Sequence, residues 1–169
     1  MKASGCLAWG VVVALAVPVS ACAADNKLPA AAQVVLDKAE QFELLSLDPK
    51  PVPKADQDKE KNVFHGYRVL GKTTVKDATR NTLLAALDKG IKDADPNLAA
   101  GCFNPRHGIR ATHDGKTVDL VICFECLAIV VYVDDKSERG PHVTGSPQEA
   151  FDKVLKAANV PLSPKPGDK

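Results

Sequence analysis

The sequence has almost no excess of basic over acidic residues and only one long apolar run, and both features exclude large classes of protein. Its 169 residues hold 22 Lys and Arg against 21 Asp and Glu, so it lacks the basic surface that nucleic-acid binding requires. The apolar run lies at the N-terminus and is shorter than the roughly 18 residues that a membrane-spanning helix needs. We therefore expect no nucleic-acid partner and no transmembrane helix in the mature chain.

The sequence also lacks the short motifs that mark common catalytic centres. It contains no G-x-S-x-G elbow, no H-E-x-x-H zinc pair, no EF-hand loop and no internal repeat. Its scattered carboxylates do not form a recognisable acid and base pair. The sequence therefore favours a non-catalytic role, either binding or structural, over an enzymatic one.

The N-terminus has the features of a bacterial export signal. Lys2 precedes an apolar segment from Cys6 to Val19, and this segment ends in a run of small residues, Val19-Ser20-Ala21-Cys22-Ala23-Ala24. A positive start, an apolar centre and a small-residue end are the three parts of a signal peptide. We predict a signal peptide over residues 1–23.

The end of the predicted signal fits two processing sites. Val19-Ser20-Ala21-Cys22 resembles the lipobox of bacterial lipoproteins, and this resemblance implies a lipid anchor on Cys22 as the first mature residue. Ala21-Cys22-Ala23 also fits an ordinary A-x-A cleavage site, which would release a soluble protein. Either site predicts an exported protein: a periplasmic or outer-membrane-anchored lipoprotein, or a secreted one. The resemblance covers the signal segment alone.

The rest of the chain is predicted to form a single α+β domain over residues 24–160, followed by an extended tail over 161–169. Helices are indicated over 30–40, after a cap at Asp77 or Thr79, and after the capping-box sequence Ser146-Pro147-Gln148-Glu149. Strands are indicated over 42–47, 65–75, 109–112 and 116–133, with a proline-rich, charged loop over 48–62. The order α-β-β-α-β-β-α predicts an antiparallel sheet of about four strands with helices packed on one face.

Asp114-Gly115 is a strong signal for a two-residue hairpin turn. A turn at this point places Arg110 opposite Asp119, and opposite charges across an antiparallel pair are favourable. Because side chains alternate along a strand, one face of the second strand is predicted to point into the core: Val118, Leu120, Ile122 and Phe124.

Three cysteines downstream of Cys22 form the chemically most informative group. Cys123 and Cys126 have the CxxC spacing, but residues three apart in a regular strand point to opposite faces about 10 Å apart. A disulfide needs Cα atoms within roughly 7 Å. The hairpin register instead brings Cys102 close to Cys126. We therefore predict a structural Cys102–Cys126 disulfide, formed in an oxidising compartment, with Cys123 as the odd thiol.

The alternative is a metal-dependent or thiol-dependent site built from Cys102, His107, Cys123 and Cys126. These side chains offer the sulfur and nitrogen ligands that zinc prefers, although the pattern with two CxxC pairs is absent. No cofactor other than zinc is indicated. The state of the thiols separates the alternatives, because three free thiols without metal would contradict both the disulfide and the zinc site.

Two short motifs match known signatures without the structural context that those signatures need. Residues 66–73 match the P-loop pattern G-x-x-x-x-G-K-T, but a P-loop must follow a buried strand and open directly into a helix. Here the intervening residues favour a strand. Arg106-His107-Gly108 resembles the RHG signature of the histidine phosphatases, but the preceding hydrophobic strand and a distant second catalytic histidine are missing. We interpret both matches as coincidental.

Overall fold

The computed structural model describes residues 26–98 and 100–164, so the predicted signal peptide, Cys22 and the end of the predicted tail lie outside the described residues. Four helices and seven strands form within these ranges. In chain order they are α1 Ala30–Lys38, β1 Gln41–Pro51, α2 Lys54–Gln57, β2 Val63–Phe64, β3 Tyr67–Thr74, α3 Asp77–Lys92, β4 His107–His113, β5 Lys116–Cys123, β6 Ala128–Val133, β7 Lys136–His142 and α4 Gln148–Ala157. None of these helices is both long and apolar enough to cross a membrane.

All seven strands belong to one curled, antiparallel sheet in the order β2-β3-β1-β4-β5-β6-β7. The long strand β1 occupies an inner position and pairs with β3 on one side and β4 on the other. The expected sheet of about four strands is therefore wrong, because the fold is dominated by a larger sheet. The element order also differs, since a short helix, α2, interrupts the loop predicted over 48–62.

Three features account for the strands that the sequence pattern missed. Strand β2 has two residues, too few to show a strand period. Strand β7 has three charged residues among its seven and contains Gly140 and Pro141, a composition typical of an edge strand that is protected against further pairing. The segment predicted as one strand over 116–133 is divided into β5 and β6 by a turn at residues 124–127.

The larger core lies between one face of the sheet and helices α1, α3 and α4. The four positions predicted from the hairpin register all lie in it: Val118, Leu120, Ile122 and Phe124. Helix α4 contributes Phe151 and Leu155, both fully buried, and burying each such side chain stabilises the fold by roughly 1.5–3 kcal/mol. The predicted capping box is not formed, because Ser146 Oγ lies 2.8 Å from Thr144 Oγ1 and caps no helix N–H.

A second, smaller apolar cluster lies on the opposite face of the sheet, and we call this face the second face. Its buried members are Leu45, Leu47, Phe64 and Val121, with Tyr67, Val69, Phe103, Val130 and Tyr132 packed around them. Strand β2 places Phe64 over Gly108, where an added Cβ would lie 2.9 Å from the ring. Cys123 lies two residues after Val121 in β5 and therefore belongs to this face.

Candidate functional site

The chain reverses direction directly after Cys123, at the end of β5. Leu127 takes a left-handed backbone conformation with φ of 56°, which is exceptional for a bulky residue. The reversal brings the Cα atoms of Cys123 and Cys126 to 5.1 Å, and these two residues form a disulfide. The structure thus contains a Cys123–Cys126 disulfide where the sequence predicted Cys102–Cys126, because the assumption of a continuous strand does not hold.

Cys102 reaches the same disulfide from the loop that precedes β4. Its Sγ lies 3.5 Å from the Sγ of Cys126, and the residue is exposed to solvent. Cys123 and Cys126, in contrast, are each 1% exposed. The structure therefore brings the three predicted cysteines together, and among them Cys102 is the one that solvent reaches.

Backbone groups contact both sulfur atoms of the disulfide. The N–H of Asn104 donates to the Sγ of Cys126 at 3.1 Å, and the N–H of Cys126 donates to the Sγ of Cys123 at 3.0 Å. The Sγ of Cys123 also lies 3.3 Å from the carbonyl oxygen of Asn104. An N–H donor stabilises a thiolate, whereas a carbonyl accepts from a thiol. The surroundings of Cys123 thus suit its sulfur in either protonation state.

Arg106 fastens the turn that carries the disulfide. Its guanidinium donates to the carboxylate of Glu125, which lies between the two bonded cysteines, and at 2.9 Å to the carbonyl of Pro164. The Arg106 side chain is largely buried. Arg106, the arginine of the RHG triplet, therefore holds the CxxC turn in position through its contact with Glu125.

His107 does not join the cysteines. It pairs with Ile122 across β4 and β5, so its side chain lies on the core side of the sheet, opposite to Cys123. Its Nε2 lies 2.9 Å from Oδ1 of Asp152 in α4, and its ring packs against Phe124 and Phe151. The structure thus separates His107 from the other three residues of the predicted metal set.

A second group of ionisable side chains lies on the second face. The carboxylate of Asp119 is 2% exposed and accepts hydrogen bonds from Arg110 at 2.8 and 2.6 Å. Nε2 of His65 lies 2.6 Å from Oδ2 of the same carboxylate. The imidazole of His65 also stacks on Tyr132, with 3.6 Å between the ring centroids.

Hydrogen bonds, charges and burial within this group shift the pKa values of several of its members. Burial alone would raise the pKa of Asp119, but the hydrogen bonds from Arg110 and His65 outweigh it and hold that pKa below its ordinary value. The hydrogen bond to Asp119 raises the pKa of Arg110. Burial, together with the charge of Asp119, raises the pKa of Tyr132. At neutral pH the buried carboxylate is therefore ionised and paired.

Three side chains each place one potential metal-ligand atom within 4.8 Å of the others: His65, Asp119 and Asp135. Among the residues that the structure describes in this oxidised chain, they are the one such group. Both oxygens of Asp119 already accept hydrogen bonds from Arg110, however, and the guanidinium charge would repel a cation. We interpret the group as an ion-pair network. It fastens the β2–β3 turn, where His65 has φ of 47°, to β4 and β5.

The P-loop string does not form a phosphate-binding loop. Gly66 lies in the turn before β3 with φ of 87°, and residues 67–74 form β3 itself. Helix α3 begins at Asp77, so no helix opens directly after Lys72 and Thr73. The backbone N–H groups that would surround a phosphate are not gathered there.

Comparisons with known protein families, with curated proteins and with solved structures find no match. The contact among the three cysteines and the ion-pair network on the second face are therefore the features from which a function can be argued.

Proposed function

We propose that the chain is an exported thiol–disulfide exchange protein in which Cys102 connects the solvent with the buried Cys123–Cys126 disulfide. The observation that carries this proposal is the 3.5 Å separation between the Sγ atoms of Cys102 and Cys126. A disulfide that is 1% exposed at both cysteines is shielded from external thiols, and exchange requires access to a sulfur atom. An exposed thiol in contact with it supplies that access.

The first step is an internal exchange between the three sulfurs. The Cys102 thiol releases its proton to solvent, and the thiolate attacks the Sγ of Cys126. The Cys102–Cys126 bond forms as the Cys123–Cys126 bond breaks, and Cys123 leaves as a thiolate that takes up a proton. The N–H of Cys126, 3.0 Å from the Sγ of Cys123, stabilises this leaving thiolate. The step is an isomerisation without net oxidation, and it generates the pairing that the sequence predicts.

The second step transfers the disulfide to a substrate that carries two thiols. One substrate thiolate attacks the exposed Sγ of Cys102, and Cys126 leaves as a thiolate. The second substrate thiolate then attacks its neighbour in the mixed disulfide and releases Cys102. The substrate loses two electrons and two protons, and the protein gains both and ends with three thiols. The reaction class is therefore the oxidation of a protein or peptide dithiol.

Rapid mixing of the oxidised protein with a dithiol peptide tests the proposal. We expect Cys102→Ser to slow peptide oxidation at least about tenfold, because the peptide then has to reach the buried sulfurs directly. Mass spectrometry should show that the variant keeps its Cys123–Cys126 disulfide. Val34→Ala, at an exposed position of α1, is the control and should react like the wild type. Equal rates for wild type and Cys102→Ser would mean that the peptide reaches the buried sulfurs directly and that Cys102 has no part in exchange. A wild type that does not oxidise the peptide would instead indicate a structural disulfide in a non-catalytic domain.

Export is part of the proposal, because disulfides persist outside the reducing cytoplasm. We propose that residues 1–21 are removed and that Cys22 carries a lipid anchor to the membrane. The intact mass of the purified mature protein should then equal that of residues 22–169 plus a lipid adduct. A shorter chain without adduct would indicate a soluble exported protein, and a chain that keeps Met1 would contradict export.

A further inference from the structure

We infer that the reduced form of Cys102, Cys123 and Cys126 binds one thiophilic metal ion, of the class of Zn²⁺ or Cu⁺. The inference rests on the proposed function in one respect, since the site exists only after the Cys123–Cys126 disulfide has been reduced. Thiolates are the ligands that both ions prefer. In the oxidised form the two bonded sulfurs are not thiolates, so metal loading depends on the redox state.

The spacing and backbone of the CxxC segment support a metal site. Two cysteines separated by two residues are a recurrent pair of ligands in zinc sites with sulfur coordination. The turn holds the Cα atoms of this pair 5.1 Å apart, and it requires the left-handed conformation of Leu127. Backbone strain of this kind concentrates at functional sites.

The sulfur atoms also have the hydrogen-bond donors that metal thiolates use. Asn104 N–H donates to Cys126, and Cys126 N–H donates to Cys123. Donors of this kind tune a metal centre and hold its ligands in place. They gain strength when the sulfur carries a full negative charge, so they stabilise a thiolate site more than they stabilise a disulfide.

The third ligand comes from a different part of the chain. Cys102 lies 24 residues before Cys126 in sequence, and its Sγ is 3.5 Å from that of Cys126. A displacement of a few tenths of an ångström would allow both sulfurs to bind one ion at about 2.3 Å. The three thiols release three protons when one Zn²⁺ binds, and water takes the fourth tetrahedral position. His107 supplies no ligand, because its side chain lies on the core side of the sheet.

Titration of the mature chain with Zn²⁺ tests the inference. The protein is reduced with a phosphine, desalted under argon, and titrated against a chromogenic chelator. We expect one ion per chain, protection of Cys102, Cys123 and Cys126 from alkylation, and no binding by the oxidised chain. Replacing any of the three by Ser should weaken binding at least about 100-fold, since even an outer contact can contribute that much. Co²⁺ in place of Zn²⁺ should show sulfur-to-metal charge-transfer absorption, and Cu⁺ is titrated in parallel.

The control is His65→Ala, which removes one potential ligand from the ion-pair network of His65, Asp119 and Asp135 and should leave binding unchanged. Binding by the oxidised chain, or loss of binding in His65→Ala, would overturn the inference. So would a reduced chain that binds neither ion. If reduction unfolds the chain, as judged by circular dichroism, the metal should refold it, and failure to refold would also overturn the inference.

The exchange assay on the oxidised, metal-free chain, performed beside the titration of the reduced chain, separates the two proposals. A chain that oxidises the dithiol peptide through Cys102 but binds no metal when reduced would overturn the metal site and leave the exchange function in place. A reduced chain that binds Zn²⁺ through the three cysteines, with exchange independent of Cys102, would do the reverse.

Discussion

Arg110 and Asp119 face each other across β4 and β5, and two hydrogen bonds of 2.8 and 2.6 Å join their side chains. The two partners differ in exposure, because the Arg110 side chain is 44% exposed and that of Asp119 is 2% exposed. When the pair is broken, the guanidinium can be hydrated, but the carboxylate cannot. Asp119 is therefore the residue on which the stability of this network depends.

We expect Asp119→Asn to lower the free energy of unfolding by about 2 kcal/mol near pH 7, because charge-assisted hydrogen bonds are lost. Although burial opposes it, hydrogen bonding lowers the pKa of Asp119 in the folded state. The contribution of ionised Asp119 to the free energy of unfolding is therefore complete above its unfolded-state pKa of about 3.9, and it is lost as the pH falls through the folded-state pKa.

Urea unfolding of the wild type and Asp119→Asn at about pH 7, 5 and 3 measures this effect. The difference between the two proteins should be the same at the two higher values and smaller at the lowest one. Asp135→Asn, at an exposed carboxylate, is the matched control and should change stability by less than about 0.5 kcal/mol. A difference that is constant over the whole range would contradict the assigned ionisation of Asp119.

We expect His107 to contribute to stability and not to metal binding. Its ring is 3% exposed, packs between two phenylalanines and meets Asp152 at 2.9 Å. His107→Ala should lower the free energy of unfolding by about 2–4 kcal/mol, because a cavity forms and the carboxylate loses its partner. Zn²⁺ titration of the reduced, folded variant should give the wild-type affinity. A loss of Zn²⁺ binding in the folded variant would make His107 a ligand after all.

The hairpin around Asp114-Gly115 could be predicted from the sequence because several local signals agree. The turn residues, the opposite charges of Arg110 and Asp119, and the alternation of apolar side chains all require the same register. That register is confirmed by the pairing of Arg110 with Asp119 and of Ile109 with Leu120. Local consistency of this kind is what a single sequence can reveal.

The turn after Cys123 could not be predicted from its own residues. Phe124-Glu125-Cys126-Leu127 contains no Gly, Pro, Asn or Asp, the residues that usually mark a turn. The chain reverses there because β6 pairs with β5, so a tertiary preference outweighs the local one. Because of this single error, the predicted disulfide partner of Cys126 was Cys102 instead of Cys123. The role of His65 was missed for a related reason, since its partner Asp119 lies 54 residues away.

We expect Gly140→Ala to destabilise the edge of the sheet. Gly140 lies where the pairing of β6 with β7 changes register, and an added Cβ would lie 2.1 Å from the carbonyl oxygen of Ile129. Because the backbone there cannot move aside without loss of pairing, the free energy of unfolding should fall by about 2–3 kcal/mol. Thermal or urea unfolding measures the change.

Gly101→Ala is the matched control for that substitution, since an added Cβ there meets no atom within 4 Å. It should change stability by less than about 0.5 kcal/mol. Similar effects of the two substitutions would show that the close approach of Gly140 to Ile129 does not constrain the sheet.

Alkylation of Cys102 should isolate the disulfide from external thiols. In the oxidised protein Cys102 is exposed, whereas Cys123 and Cys126 are bonded to each other, so peptide mapping should locate the added group on Cys102. Alkylation removes the thiolate that lies 3.5 Å from Cys126. Reduction of the disulfide by a dithiol peptide, followed by thiol counts at timed intervals, should therefore slow at least about tenfold. An unchanged rate would mean that external thiols reach Cys126 directly and that Cys102 has no part in exchange.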